Sequence, residues 1–150
     1  MARAIALSRT QMEQGQGGPF GAVIVRDGEI IAEGWNQVTS ANDPTAHAEV
    51  VAIRRACEKL GSFSLDGCTI YTSCEPCPMC LGAIYWARIK EIRYANTRAD
   101  AARIGFDDSL IYDEVPKEPA DRMIPTVHQP SDAARAVFDD WENKPDKIEY

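Results

Sequence analysis

Four residues in two short clusters carry the most specific chemistry in this 150-residue chain. One of its two histidines stands in Thr45-Ala46-His47-Ala48-Glu49, where an apolar stripe of helical spacing begins. Cys77 follows Glu49 by 28 positions, within Pro76-Cys77-Pro78-Met79-Cys80. Two cysteines three apart on the first turn of a helix point the same way. There, free N–H groups and the helix dipole favour anionic sulfur. One imidazole from the start of a neighbouring helix completes a three-ligand set. Three protein ligands and an open position suit a catalytic zinc, whereas a structural zinc is closed by four. Glu49 lies about 200° around the helix axis from His47, so it is expected to flank the open position without ligating the metal.

The elements around these residues are legible from periodicity and turn chemistry. Residues 1–14 read as a helix stopped by Gly15, and Gly15 to Gly21 as a tight loop. Asp27-Gly28 between 22–25 and 30–35 is a two-residue hairpin signal. Asn42 to Thr45 reads as a turn and cap before a helix with Ala46, Val50, Ile53, Cys57 and Leu60 on one stripe, ended by Gly61. Strands are expected at 68–73 and 91–96, and a helix runs from about Cys77 to Arg88. A short helix is expected from Asp100 to Ile104. Residues 113–130 carry Pro116, Pro119, Pro125 and Pro130 and read as extended, before a last helix capped by Ser131 that bears Ala134, Val137, Phe138 and Trp141. Alternating strands and helices after an opening hairpin indicate an α/β layer with a parallel component.

Composition narrows the partners. Sixteen basic and 23 acidic residues give a net charge of −7. Residues 1–99 balance at ten of each sign, so the acidic excess lies in the last third. With no Lys/Arg-rich block, the chain is a poor polyanion binder, and a small neutral ligand fits better than nucleic acid. No stretch reaches the ~20 apolar residues of a membrane helix. The first residues lack a signal-peptide pattern, and no membrane partner is expected; a cytoplasmic protein is the expectation. Five cysteines, three of them within seven residues, suit metal or catalytic chemistry in a reducing compartment. Cys74 belongs to a strand end and Pro76 separates it from the helix turn, so it is not expected to ligate. Cys57 and Cys68 are expected in the core.

His47-Ala48-Glu49 with Pro76-Cys77-Pro78-Met79-Cys80 resembles the zinc nucleobase deaminases of the cytidine deaminase-like superfamily. More narrowly, four stretches are similar to the bacterial guanine deaminase family: Gly17 to Ala22, Asn42 to Glu49, Thr72 to Ala87 and Ile104 to Ser109. The resemblance is clear over residues 17–112, weaker over 113–145, and returns at the C-terminal tyrosine. It departs at the start, where the first helix is short. It implies a three-layer α/β/α fold with a central five-stranded mixed sheet, and one zinc ion per subunit between two helix N-termini. It implies hydrolysis of guanine at C2 to xanthine and ammonia. His47, Cys77 and Cys80 would bind zinc, Glu49 would shuttle protons, and Asp108 would act near the departing amino group. Phe20, Asn36 and His47 would contact the base, and Tyr150 would close the pocket. The whole chain, 1–150, would be one zinc-dependent deaminase domain, with 113–150 an extension swapped between the subunits of a homodimer.

Each assignment has a plainer reading. An asparagine at a strand end often only shapes a turn, and the Asn36 amide could offer both a donor and an acceptor to a base. Phe20 could simply pack, and Asp108 could simply be solvated. Another nucleobase deaminase, a tRNA adenosine deaminase or a non-catalytic zinc module are the competing readings for the chain as a whole.

Overall fold

Asp27 and Gly28 hold φ of 51° and 84°, the pair of left-handed conformations that a two-residue hairpin turn requires. They join β1 (Gly21–Arg26) to β2 (Glu29–Trp35), with Arg26 opposite Glu29 and Gly21 opposite Trp35. The structure is a computed structural model that describes residues 1–149. In it, β3 (Thr69–Cys74) runs antiparallel to β1, and β4 (Glu91–Asn96) runs parallel to β3. The sheet is therefore mixed, in the order β2-β1-β3-β4.

Four strands, and not the five implied by family resemblance, are present among the described residues. They coincide with the four strands expected near 22–25, 30–35, 68–73 and 91–96. Beyond Asn96 the chain turns helical, first in α5 (Arg98–Arg103), closed at its start by a Thr97–Asp100 capping box. Later prolines remove backbone donors from the stretch that would have to ladder onto the sheet.

Because strand side chains alternate between faces, β1 feeds two cores. Ala22 and Ile24 join Ala48, Ala52, Ile70 and Ile84 beneath α3 (Ala48–Leu60) and α4 (Pro78–Trp86). Val23 packs on the other face with Ala4 and Leu7 of α1 (Ala2–Glu13), beside Trp35 and Tyr71. Helices thus cover both sheet faces, giving three layers. Arg3 clamps α1 to β2 through two 2.6 Å hydrogen bonds donated to the Glu33 carboxylate.

The inward face of α3 is shifted from the expected stripe. Ala48, Glu49, Val51, Ala52 and Ala56 are its buried residues, while Ile53, Cys57 and Leu60 sit at the core's edge. Close approach to β2 explains the shift, since a methyl added at Gly34 would lie 2.2 Å from the Ala48 carbonyl oxygen and 2.6 Å from the Ala52 nitrogen. Only small side chains fit such an approach. Gly34→Ala is accordingly expected to push α3 off the sheet and destabilise the fold by about 1–3 kcal/mol. A melting temperature equal to that of wild type would contradict this packing account.

A one-turn helix, α2 (Val38–Ala41), precedes the expected turn, and Asn42 ends it in the left-handed conformation. Residues from Ser109 onward form a second compact unit. It holds α6 (Ser109–Glu114), a 3-10 turn (Pro119–Asp121) and α7 (Asp132–Glu142). The stretch read as extended is therefore partly helical, and Ser131 caps α7 as expected by accepting from the Ala134 N–H. Among the described residues, no helix is long and apolar enough to cross a membrane.

Candidate metal centre

Helices α3 and α4 begin close together, and their N-caps are His47 and Cys77. The Gln37 N–H donates to the Ala46 carbonyl at 2.9 Å, which ties the end of the hairpin to the residue before His47. On the other side the Glu75 N–H donates to the Asn96 carbonyl at 2.8 Å, fixing the turn that leads out of β3. Pro78 then occupies the first helical position, where its missing N–H is no loss. Cys80 follows two residues later, on the same first turn.

His47 Nδ1 lies 3.6 Å from Cys77 Sγ and 3.5 Å from Cys80 Sγ. A tetrahedral zinc with Zn–S of about 2.3 Å and Zn–N of about 2.0–2.1 Å sets sulfur–nitrogen edges of roughly 3.5–3.6 Å. The two observed edges match, so the donor set fits zinc in both chemistry and spacing. His47, Cys77 and Cys80 are the His/Cys/Asp/Glu group so placed among the described residues. Cys74, buried at the end of β3, lies outside that group and donates its thiol to the Thr97 carbonyl at 3.6 Å.

Glu49 is buried, and its Oε2 accepts from the Cys80 thiol at 3.5 Å. Burial, and then the charge of Cys77, pushes its carboxyl above the ordinary range. Hydrogen bonding from Cys80, then from His47, holds the Cys77 thiol down at about 4, against the effect of burial. Its bond to Cys77 and its burial push the Cys80 thiol far up. The His47 imidazole is raised by its bond to Cys77. Cysteine ligates as the thiolate, so metal uptake at this pair is coupled to proton release. Burial pushes Cys74 to about 11, which keeps it a neutral thiol.

The other expected site residues are placed as follows. Asn36 is buried, and its Oδ1 accepts from the Gly18 N–H at 3.2 Å and the Val38 N–H at 3.3 Å. Two backbone donors thus meet that oxygen, which ties Asn36 to the Gly18 loop and to the start of α2. Phe20 adjoins Asn36 through an Asn36 N–H to Phe20 carbonyl bond of 3.0 Å. Phe20 also lines a cleft with Pro19, Cys74, Asn96 and Ile104, and none of His47, Cys77 and Cys80 is among its lining residues. Partial burial, and then the Cys77 charge, raises the Asp108 carboxyl, while Arg98 lowers it. Tyr150 lies outside the described residues. Phe106 has no expected role from its residue type alone, yet its ring meets that of Phe20 edge-to-face at 4.8 Å and 88°. Its one signal was a place in the Ile104 to Ser109 stretch.

Residues 1–96 match the cytidine and deoxycytidylate deaminase zinc-binding region. The guanine deaminase of Bacillus subtilis (strain 168) is 57% identical over 148 residues, covering 99% of this chain and 95% of that one. The X-ray structure of a guanine deaminase from Bacillus subtilis superposes with a TM-score of 0.97 at 56% identity, covering 99% of this chain and 95% of that one. A guanine deaminase from Nitrosomonas europaea matches at 34% identity and a TM-score of 0.67, over 71% of this chain and 62% of that one. The tRNA-specific adenosine deaminase of Agrobacterium fabrum (strain C58) is 50% identical over 76 residues, 51% of this chain and 50% of that one. Sequence, fold and the His47-Cys77-Cys80 cluster agree that the chain belongs to the cytidine and deoxycytidylate deaminase zinc-binding family.

Proposed function

We propose that this chain catalyses the zinc-dependent hydrolysis of guanine to xanthine and ammonia. One observation carries the choice of substrate within the family. Similarity to a guanine deaminase runs over 99% of the chain, whereas similarity to a tRNA-specific deaminase covers 51%. The net charge of −7 agrees, because an RNA substrate calls for basic groups to neutralise phosphates.

His47, Cys77 and Cys80 would hold the zinc, which would supply a nucleophile at neutral pH by lowering the pKa of a water. Glu49 then takes a proton from the attacking water at its carboxylate and returns it to a ring nitrogen as the new C2–O bond forms. Burial beside Cys80 keeps the Glu49 carboxylate out of bulk water and next to the ligand set, which suits it to this shuttle. The amine leaves as ammonia once protonated, and Asp108 is the second acid. Two carboxylates in different surroundings can divide the two proton transfers. Asn36 Nδ2 donates to an acceptor on the base, and the Phe20 ring stacks on its face.

The test is a panel of guanine, cytosine and adenosine-bearing tRNA, with ammonia release followed on zinc-loaded protein. Xanthine and ammonia from guanine are expected. Release from the tRNA substrate alone would overturn the assignment.

We also infer that 1–150 works as one deaminase domain in a cytoplasmic homodimer, with 113–150 exchanged between protomers and Tyr150 closing the partner's pocket. Amphipathic α7 has no buried residue, and Val137 and Phe138 are exposed, so this face calls for a cover. The proline-bearing connector suits exchange of a terminal element. The check is complementation between a Glu49→Ala subunit with an intact tail and a wild-type-site subunit truncated after Asn143. Exchange restores activity to the mixed dimer. A mixture as inactive as its parents would exclude the swap.

A further inference from the structure

Several contacts hold the backbone around Phe20. Its N–H donates to the Gly18 carbonyl at 2.8 Å, and its carbonyl accepts from the Asn36 N–H at 3.0 Å. The next residue, Gly21, donates its N–H to the buried Ser73 Oγ at 3.0 Å. None of these bonds fixes the plane of the half-buried Phe20 ring. Phe106 does, through the edge-to-face contact at 4.8 Å. The Phe106 backbone is itself anchored where α5 ends, its N–H donating to the Ala101 carbonyl at 3.0 Å after Gly105 turns the chain at a φ of 95°. Gly18 completes the arrangement. A methyl added there would lie 3.2 Å from Phe106 Cζ and 3.3 Å from Phe20 Cδ2 and Cε2, so any larger residue displaces the rings.

Resting on the guanine reading above, we propose that Phe106 is a positioning residue for the base: it buttresses Phe20 edge-to-face and sets the plane on which guanine stacks, with Gly18 admitting both rings. Phe106 remains 45% exposed, a poor return for a ring whose only role is to fill core. A platform frozen before the ligand arrives spares the entropy of ordering it during binding. Edge-to-face ring pairs contribute enough to change affinity by about two- to tenfold. This effect belongs to substrate and transition state alike, so it falls on KM and not on kcat.

The experiment compares Phe106→Leu, Phe106→Tyr and Gly18→Ala in the zinc-loaded full chain. It measures kcat and KM for guanine, and guanine Kd in a Glu49→Gln background. Phe106→Leu and Gly18→Ala are expected to raise KM and Kd by about two- to tenfold with kcat within about twofold, and Phe106→Tyr to restore both constants. Unchanged KM and Kd in Phe106→Leu, a loss confined to kcat, or failure of the Tyr variant to restore binding would each overturn the proposal. If wild-type protein neither binds nor deaminates guanine, the guanine reading falls and takes this proposal with it. An active wild type with an indifferent Phe106→Leu variant overturns the buttress alone. Gly18→Ala keeps the test decisive should the Leu variant fail to fold.

Discussion

Glu49→Gln is expected to retain zinc while losing turnover by about 10²- to 10⁴-fold, the usual contribution of a positioned proton-transfer group. The side chain is buried beside Cys80 and lies outside the three-ligand set. Glutamine preserves its volume and its capacity to accept from Cys80, so the helix start and the metal ligands stay in place. What it cannot do is accept a proton from water and pass it on. Metal content and steady-state ammonia release separate the two effects. Loss of zinc from the variant would make Glu49 a ligand, and activity within tenfold of wild type would remove it from the chemistry.

Cys77→Ser and Cys80→Ser are expected to weaken zinc binding by more than about a hundredfold, beyond the range produced by losing a partner that merely orients a ligand. Each removes one of the two sulfurs placed 3.5–3.6 Å from His47 Nδ1. Cys74→Ser should leave the metal content unchanged, because that thiol donates to the Thr97 carbonyl and stands outside the cluster. Serine can make the same donation. Zinc analysis after dialysis against a mild chelator reads all three variants. Metal loss from Cys74→Ser would turn the open site into a closed one and favour a structural module.

The metal centre was legible in the sequence because helix-start chemistry is local. Pro76-Cys77-Pro78-Met79-Cys80 sets a cap, a first-turn proline and a second thiol in one stretch, and His47 opens its own helix in the same way. The Asp27-Gly28 turn and the strand at 91–96 were legible for the same reason. Long-range packing was not. Gly34 meets Ala48 and Ala52 across fourteen or more residues, and that approach decides which face of α3 turns inward. The Phe20–Phe106 pair likewise joins residues far apart in the chain. The state of the Asn36 amide depends on Gly18, brought near only when the loop folds back over the hairpin end. The five-stranded sheet came from resemblance and not from the residues, whose proline-bearing later segment offers no fifth strand.

Zinc-loaded protein is expected to deaminate guanine by hydrolysis at the site formed by His47, Cys77 and Cys80. The most direct measurement incubates zinc-loaded protein with guanine in water enriched in heavy oxygen and weighs the product. Xanthine carrying one solvent-derived oxygen is expected, formed with one ammonia per guanine consumed, with no product from the metal-free Cys80→Ser variant. Guanine recovered intact from protein with a full complement of zinc, or xanthine formed equally well without the metal, would contradict it.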